Sequence, residues 1–329
     1  MHNRRCIDML SAVLLAGACW SGNALAEEAV ERFPSRPITL ISPLGAGGPT
    51  DTELRQYADE LTRSLGKPVI ADFKAGAGGR IAYTFLAKAP PDGYNMVFAS
   101  DSLTISMVLD KDLTYDPAKD FQPVTLMTRW TTLIVASPHF PPNNGKEYFA
   151  YARANPDKVN WATAGPGSSN HMSGAWINGL AGTSVTYIHY KGAAQYYADM
   201  AAGRADLTST RLFGALASVR TGRLKAIAVG SALRSPLLPD VATLQESGLT
   251  NYESSSWLGF IAPAGLPPAI LGKLSDALMK IAHTPANMER KIKEGGVAIG
   301  STPEEFRKHI LEGAAKWKEV VAKFNVIKD

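Results

Sequence analysis

The sequence predicts an α/β protein with largely parallel sheets. Three observations carry this. Short apolar runs alternate with amphipathic ones along the chain, the pattern of strands joined through helices. Two glycine-rich turns each stand between a strand-like and a helix-like run. About 300 residues without a disulfide framework usually form two hydrophobic core units.

The N-terminus reads as a leader. Arg4 and Arg5 precede an uncharged apolar segment, Met9 to Ala18, and Ala24-Leu25-Ala26 supplies a small-x-small cleavage site. The segment is shorter than the roughly 20 residues that span a bilayer. This predicts a signal peptide over 1–26 and a mature protein in the periplasm. Lipidation at Cys19, after Ala16-Gly17-Ala18, ranks below cleavage because Ala16 stands where Leu is expected. Cys6 and Cys19 both lie in the leader, so stability must come from packed cores rather than disulfides. Removing Arg4, Arg5 and Asp8 takes the net charge from +4 to +3. That small balance, with no Lys/Arg block, argues against nucleic acid as a partner.

Ile38–Ser42, Val69–Phe73, Tyr94–Ala99, Leu133–Ala136, Val185–His189 and Leu224–Val229 read as strands. Leu54, Tyr57, Ala58, Leu61 and Leu65 follow helical spacing, and Gly66 then Pro68 end that helix. Ile270, Leu271, Leu274, Leu278 and Ile281 repeat the pattern after Pro267-Pro268. A final helix opens with a capping box, Thr302-x-x-Glu305, with Pro303 at its first position. Its stripe is Phe306, Ile310, Trp317, Val320/Val321 and Phe324.

The turn Gly45-Ala46-Gly47-Gly48-Pro49-Thr50-Asp51 follows the first strand and precedes the first helix. Such a turn presents backbone N–H groups at a helix N-terminus, where anions are stabilised. Gly76-Ala77-Gly78-Gly79 repeats the pattern, either as a second amide loop on the same sheet edge or as an unrelated tight turn. Neither turn is a dinucleotide fingerprint, because Thr50 and Ile81 stand where the third glycine belongs. No Gly-Lys-Ser/Thr completes a phosphate loop. In Gly165–His171, Ser168 and His171 suggest a hydrolase only faintly, since Gly-x-Ser-x-Gly is missing. That stretch reads better as a polar helix start capped by Ser168 or Ser169. The histidines are dispersed, so neither a metal nor another cofactor is expected. The profile suits capture of a small anion, not its conversion.

The ordered motifs then carry a resemblance. They run from Pro34-Ser35-Arg36-Pro37 through Ala46–Asp51, Gly76–Gly79, Pro91-Asp92-Gly93-Tyr94, Tyr115-Asp116-Pro117 and Lys119–Val124. They continue with Gly167-Ser168-x-x-His171, Tyr190-Lys191-Gly192, Gly222-Arg223-Leu224, Trp257–Phe260, Ala262–Gly265, Thr302–Phe306 and Lys316-Trp317. Over essentially the whole mature chain this resembles the Bug-type periplasmic receptors of tripartite tricarboxylate transporters. The resemblance implies a two-lobed periplasmic binding protein of type II-like flytrap form, and no enzyme. It implies one lobe of residues 34–130 plus 255–329 and a second of 131–254, a monomer, and membrane permease subunits as partners. A ligand-loaded sensor for a signalling receptor is the alternative.

It also implies that one ligand carboxylate is gripped by Ala46, Gly47, Gly48, Pro49 and Thr50, and from the other lobe by Gly167, Ser168 and Ser169; Asp51, Ser100 and His171 are expected in the same binding site. Departures bear on the ligand. Phe73 replaces a usual Asn, His189 a frequent Pro, and Thr210 an Asp or Asn able to meet an ammonium group. Arg211 adds a carboxylate-binding fork. A dicarboxylate or aromatic acid is therefore expected over an amino acid, its far end on Thr210 or Arg211 and its body beside Phe73 or Phe213.

Overall fold

The computed structural model describes residues 32–109, 112–250, 252 and 254–324, without the Pro49 side chain. The leader reading, with Cys6 and Cys19, lies outside the described residues.

Chain order begins β1 (Ile38–Ser42), α1 (Pro49–Leu65), β2 (Val69–Phe73), α2 (Arg80–Ala87), β3 (Asn95–Ser100) and α3 (Asp101–Leu109). The long β4 (Phe121–Ala136) follows, then α4 (Gly145–Ala154), β5 (Asn160–Thr163), α5 (Ser169–Ala181), β6 (Thr186–His189) and α6 (Ala193–Ala201). The chain continues with β7 (Leu207–Arg211), α7 (Leu212–Arg220), β8 (Lys225–Val229), β9 (Ser255–Pro263), α8 (Pro268–Ala282), α9 (Pro285–Lys293), β10 (Gly296–Ala298) and α10 (Pro303–Phe324).

The sheet is mixed rather than largely parallel. β1 pairs in parallel with β2 and β3, and β5 with β6 and β7. β4 and β9 run against their neighbours. The reason is that both cross the middle of the molecule. From Phe121 to Thr131, β4 pairs with β9, and its stretch Thr128–Trp130 also pairs with β10. From Thr132 to Ala136 it pairs with β7 and β8. One strand thus serves two half-sheets. The return passage lies at Ser254, whose N–H donates to Gly230 O and whose carbonyl accepts from Thr132 Oγ1.

Each half-sheet is covered on both faces. In the first, Leu40, Tyr57, Phe98, Phe260 and Leu278 form a core beneath α1 and α8, and Ile41, Tyr83, Val97 and Phe306 form another on the opposite face. In the second, Ile134, Tyr148, Trp161 and Ile177 lie on one face and Leu133, Val135, Tyr196 and Leu212 on the other. The apolar stripe of α10 is shared: Phe306 and Ile310 join the first half, Trp317 and Val320 the second.

The helix-end readings have visible causes. Gly66 ends α1 at φ 68°, donating to Thr62 O. The box before α10 is reciprocal: Thr302 N–H donates to Glu305 Oε2 at 2.9 Å, and Glu305 N–H to Thr302 Oγ1 at 3.2 Å. Ser168 differs from expectation. It occupies the cap position of α5, but its single hydroxyl proton is shared between Gly165 O (2.6 Å) and Asn170 Oδ1 (2.8 Å), and the oxygen accepts from no helix amide.

Candidate functional site

A cleft of ≈ 1280 Å³ opens where the two half-sheets meet. Its walls are the turns after six strands: Pro43–Gly48 after β1, Ala75–Gly79 after β2, Ser100–Ser102 after β3, Ala164 and Ser168–Asn170 after β5, Lys191–Tyr197 after β6, and Thr210, Arg211 and Phe213 at the end of β7. β1–β3 run in the direction of β4 and β5–β7 run against it, so the carboxyl ends of both sets meet at the junction from opposite sides, the usual ligand position in open α/β sheets. The N-termini of several helices converge there and bias the cleft toward anions.

The first glycine loop lines this cleft through Gly45, Ala46, Gly47, Gly48 and Thr50. Gly47 needs its missing side chain, because its φ is 86°. Thr50, the second residue of α1, is buried, and its N–H has no acceptor inside the helix. Asp51 is placed differently from expectation. Its carboxylate accepts from Gly47 N–H at 2.8 Å and from Arg55 Nε at 2.6 Å, so it shapes the loop from behind. The second glycine loop borders the same cleft, with Gly76, Gly78 and Gly79 all at positive φ. Ser100 is buried at the cleft, and its hydroxyl shares a 3.1 Å hydrogen bond with Ser102, which in turn meets Tyr83 OH at 3.0 Å.

Opposite, Ser168 and Ser169 reach the cleft, whereas Gly167 and His171 lie outside its lining. Gly167 N–H donates to His171 Nδ1 at 3.1 Å, and the His171 ring packs edge-on against Tyr187 and His189. The Ser168 hydroxyl and the His171 ring therefore serve the loop's own geometry. Asn170 organises it, accepting from Ala164 N–H and donating to Thr208 Oγ1.

Arg211 ends β7, caps α7 and faces the cleft. Its Nε donates to Ser256 Oγ and an Nη to Thr50 Oγ1, each at 3.0 Å. The guanidinium thus reaches from the second half-sheet to the first turn of α1. Asp101 stands close by, accepting from Trp257 N–H at 2.9 Å. Burial pushes its carboxyl up from the usual range, and the charge of Arg211 opposes that rise. Thr210 shares a 2.7 Å hydrogen bond with Tyr197. Of the two aromatic candidates, Phe213 borders the cleft, while Phe73 packs against the α1 core beneath the Arg55 guanidinium.

Sequence reasoning missed Asp101, Trp130 and Ser254–Trp257, which also line the cleft. Nothing local marks them: they matter because two crossing strands carry them to the junction. Among the described residues no group of three or more His, Cys, Asp or Glu is placed to hold a metal ion. No described helix is long and apolar enough to cross a membrane.

Comparison with known proteins gives this geometry a context. The profile of the tripartite tricarboxylate transporter family receptors matches residues 54–326. A solved structure of R. palustris Rpa4515 with adipate is 28% identical, covers 89% of this chain and 98% of its own, and superposes with a TM-score of 0.85. MatC (Rpa3494) from Rhodopseudomonas palustris with bound malate is 31% identical, covering 88% and 100%, with a TM-score of 0.82. The periplasmic binding protein BugD is 33% identical, covering 89% and 99%, with a TM-score of 0.84. The fold is accordingly that of a two-lobed periplasmic binding protein, and these relatives are solute-binding receptors, not enzymes. The chain belongs to the tripartite tricarboxylate transporter receptor family, of the Bug type.

Proposed function

We propose that this receptor captures a small carboxylate in the periplasm, as a monomer, for membrane permease subunits of a tripartite transporter. The favoured ligand is a dicarboxylate or aromatic acid without an amino group. Ala46–Thr50, Ser100, Ser168 and Ser169 would hold one carboxylate. Arg211 and Thr210 would meet the far end, with Phe213 against the body. Closure of a lobe of residues 34–130 plus 255–329 onto one of 131–254 would complete the site.

The observation that carries this reading is Arg211, a fixed cation that reaches across the cleft to the first turn of α1. A guanidinium retains unused donors after two hydrogen bonds and suits a carboxylate. Thr210 brings no charge to attract an ammonium group, and Asp101 already faces Arg211. The two relatives with adipate and malate add support, since both acids lack an amino group.

A thermal-shift screen over mono-, di- and tricarboxylic, aromatic and amino acids tests the proposal. A ligand at 100 times its dissociation constant stabilises the native state by about 2.7 kcal/mol, a readable shift. Shifts with diacids or aromatic acids are expected. Shifts with glutamate or aspartate alone would overturn the ligand class.

A further inference from the structure

We propose that the indole N–H of Trp130 demands a hydrogen-bond acceptor at the far end of the ligand, and so sets the preference for a diacid over a monoacid. This rests on the carboxylate-receptor reading above and names a residue that it does not include.

Trp130 lies on the first-half stretch of β4, directly opposite Ser256 of β9. Ser256 is the residue on which Arg211 Nε is anchored. Trp130 therefore pairs across the strands with the residue that anchors Arg211, and it borders the cleft. Its ring is held from several sides. Phe213 stacks on it, with centroids 6.1 Å apart and planes at 28°. Lys291 Nζ lies 4.8 Å from the ring. Gly296 packs so closely that a Cβ there would come within 2.5 Å of Trp130 Cε3.

The side chain is only 3% exposed, yet its Nε1–H has no acceptor among the described residues. An indole nitrogen can only donate, and a buried donor without an acceptor is costly. An acceptor carried in by the ligand relieves that cost. Arg211 has spent two of its five donors on Ser256 and Thr50. The remainder, with the indole N–H, present donors to a group with several lone pairs, as a second carboxylate has. A methyl end in the same place leaves the indole unsatisfied. Sites that hydrogen-bond a ligand group reject analogues lacking it for this reason. Phe213, 38% exposed and stacked on the indole, borders the same cleft and fits the apolar spacer between the two ends.

The test is calorimetry with straight-chain diacids from malonate to adipate and their equal-length monoacids, on wild type and Trp130→Phe. Phenylalanine keeps an aromatic ring and removes the donor. Wild type should prefer at least one diacid to its matched monoacid. The variant should lose about tenfold or more of that diacid's affinity, as expected for a hydrogen bond to a charged group. Its monoacid affinity should change by less than about threefold. Unchanged diacid affinity, or equal losses for both ligands, overturns the proposal and leaves the receptor reading intact. Wild type binding none of these straight-chain acids also overturns the proposal, and failure of every acid in the thermal-shift screen, the aromatic ones included, overturns the receptor reading as well. Should the variant not fold, indole 15N–1H spectra of the wild type decide: one indole proton must shift and become protected with the diacid but not the monoacid.

Discussion

Replacing Lys291 by methionine should destabilise the receptor strongly, and the amount follows from its surroundings. Lys291 Nζ lies 2.8 Å from Glu53 Oε1, with the two side chains 1% and 6% exposed. Glu53 sits in the first turns of α1, just after the loop that walls the cleft. It also accepts from Thr128 Oγ1 at 2.9 Å and Tyr57 OH at 3.2 Å. Without the ammonium, those neutral donors remain beside a buried carboxylate with no nearby counter-charge on that oxygen. Removing one partner of such a pair costs about 3–5 kcal/mol. At roughly 2–4 °C per kcal/mol for a chain of this size class, the melting temperature should fall by about 10 °C. Urea midpoints and thermal melts at neutral pH measure this. The double variant Glu53→Gln/Lys291→Met should recover most of the loss, because the glutamine amide can still accept from Thr128 and Tyr57. A loss below about 1 kcal/mol for the single variant, or no recovery in the double, would refute the argument that an unpaired buried charge is the cause.

Two further outcomes are expected. Gly48→Val should leave the melting temperature nearly unchanged, because Gly48 has φ −96° and open space where a Cβ would stand, but should weaken carboxylate binding at least tenfold by filling the loop's approach. Unchanged affinity in that folded variant would remove the loop from the site. His309 is held down at about 4, chiefly by burial and then by Arg129 and Lys316. An unfolded histidine binds its proton near 6.5, so between these values the unfolded state carries more protons. The stability linked to His309 is thus complete above about pH 6.5 and is lost as pH falls toward 4. Discounted for partial exposure, it amounts to on the order of 1–2 kcal/mol. His309→Gln should flatten a urea-midpoint profile over that window, and an unaltered slope would count against it.

Much of the fold was legible where a segment's own pattern decides its structure. Ile38–Ser42 and Val69–Phe73 are apolar strands bounded by turn residues, and they form where expected. The α1 and α10 stripes turn inward as their spacing implies, with Leu65, Val321 and Phe324 at their ends only partly buried. The first part of β4 was missed because Pro123, Thr125, Thr128 and Arg129 interrupt any alternation. Register shifts after Pro123 and Leu126 let that polar run stay in the sheet. The polar run Leu207–Arg211 was not among the expected strands, yet as β7 it pairs with β4 and carries Arg211 to the cleft. At the site, each glycine loop was readable alone. Which loops meet depends on strand order, which no local stretch encodes. Asp51 shows the same limit, since its place near the glycines suggested a ligand contact and its carboxylate instead holds the loop.

The position of β9 bears on how this chain assembles. β9 is the strand between β3 and β4 in the first half-sheet, and Ser100 pairs with Leu258. A chain emerging N-terminus first makes β1, β2 and β3 long before that partner exists. The second half-sheet needs only segments between Thr132 and Val229, so it can close early. Distant pairings are slow to form, and strands awaiting a neighbour are open to wrong partners. The half that begins the chain is therefore the half whose sheet closes later, when β9 arrives, and both cores are sealed only when α10 lies across them.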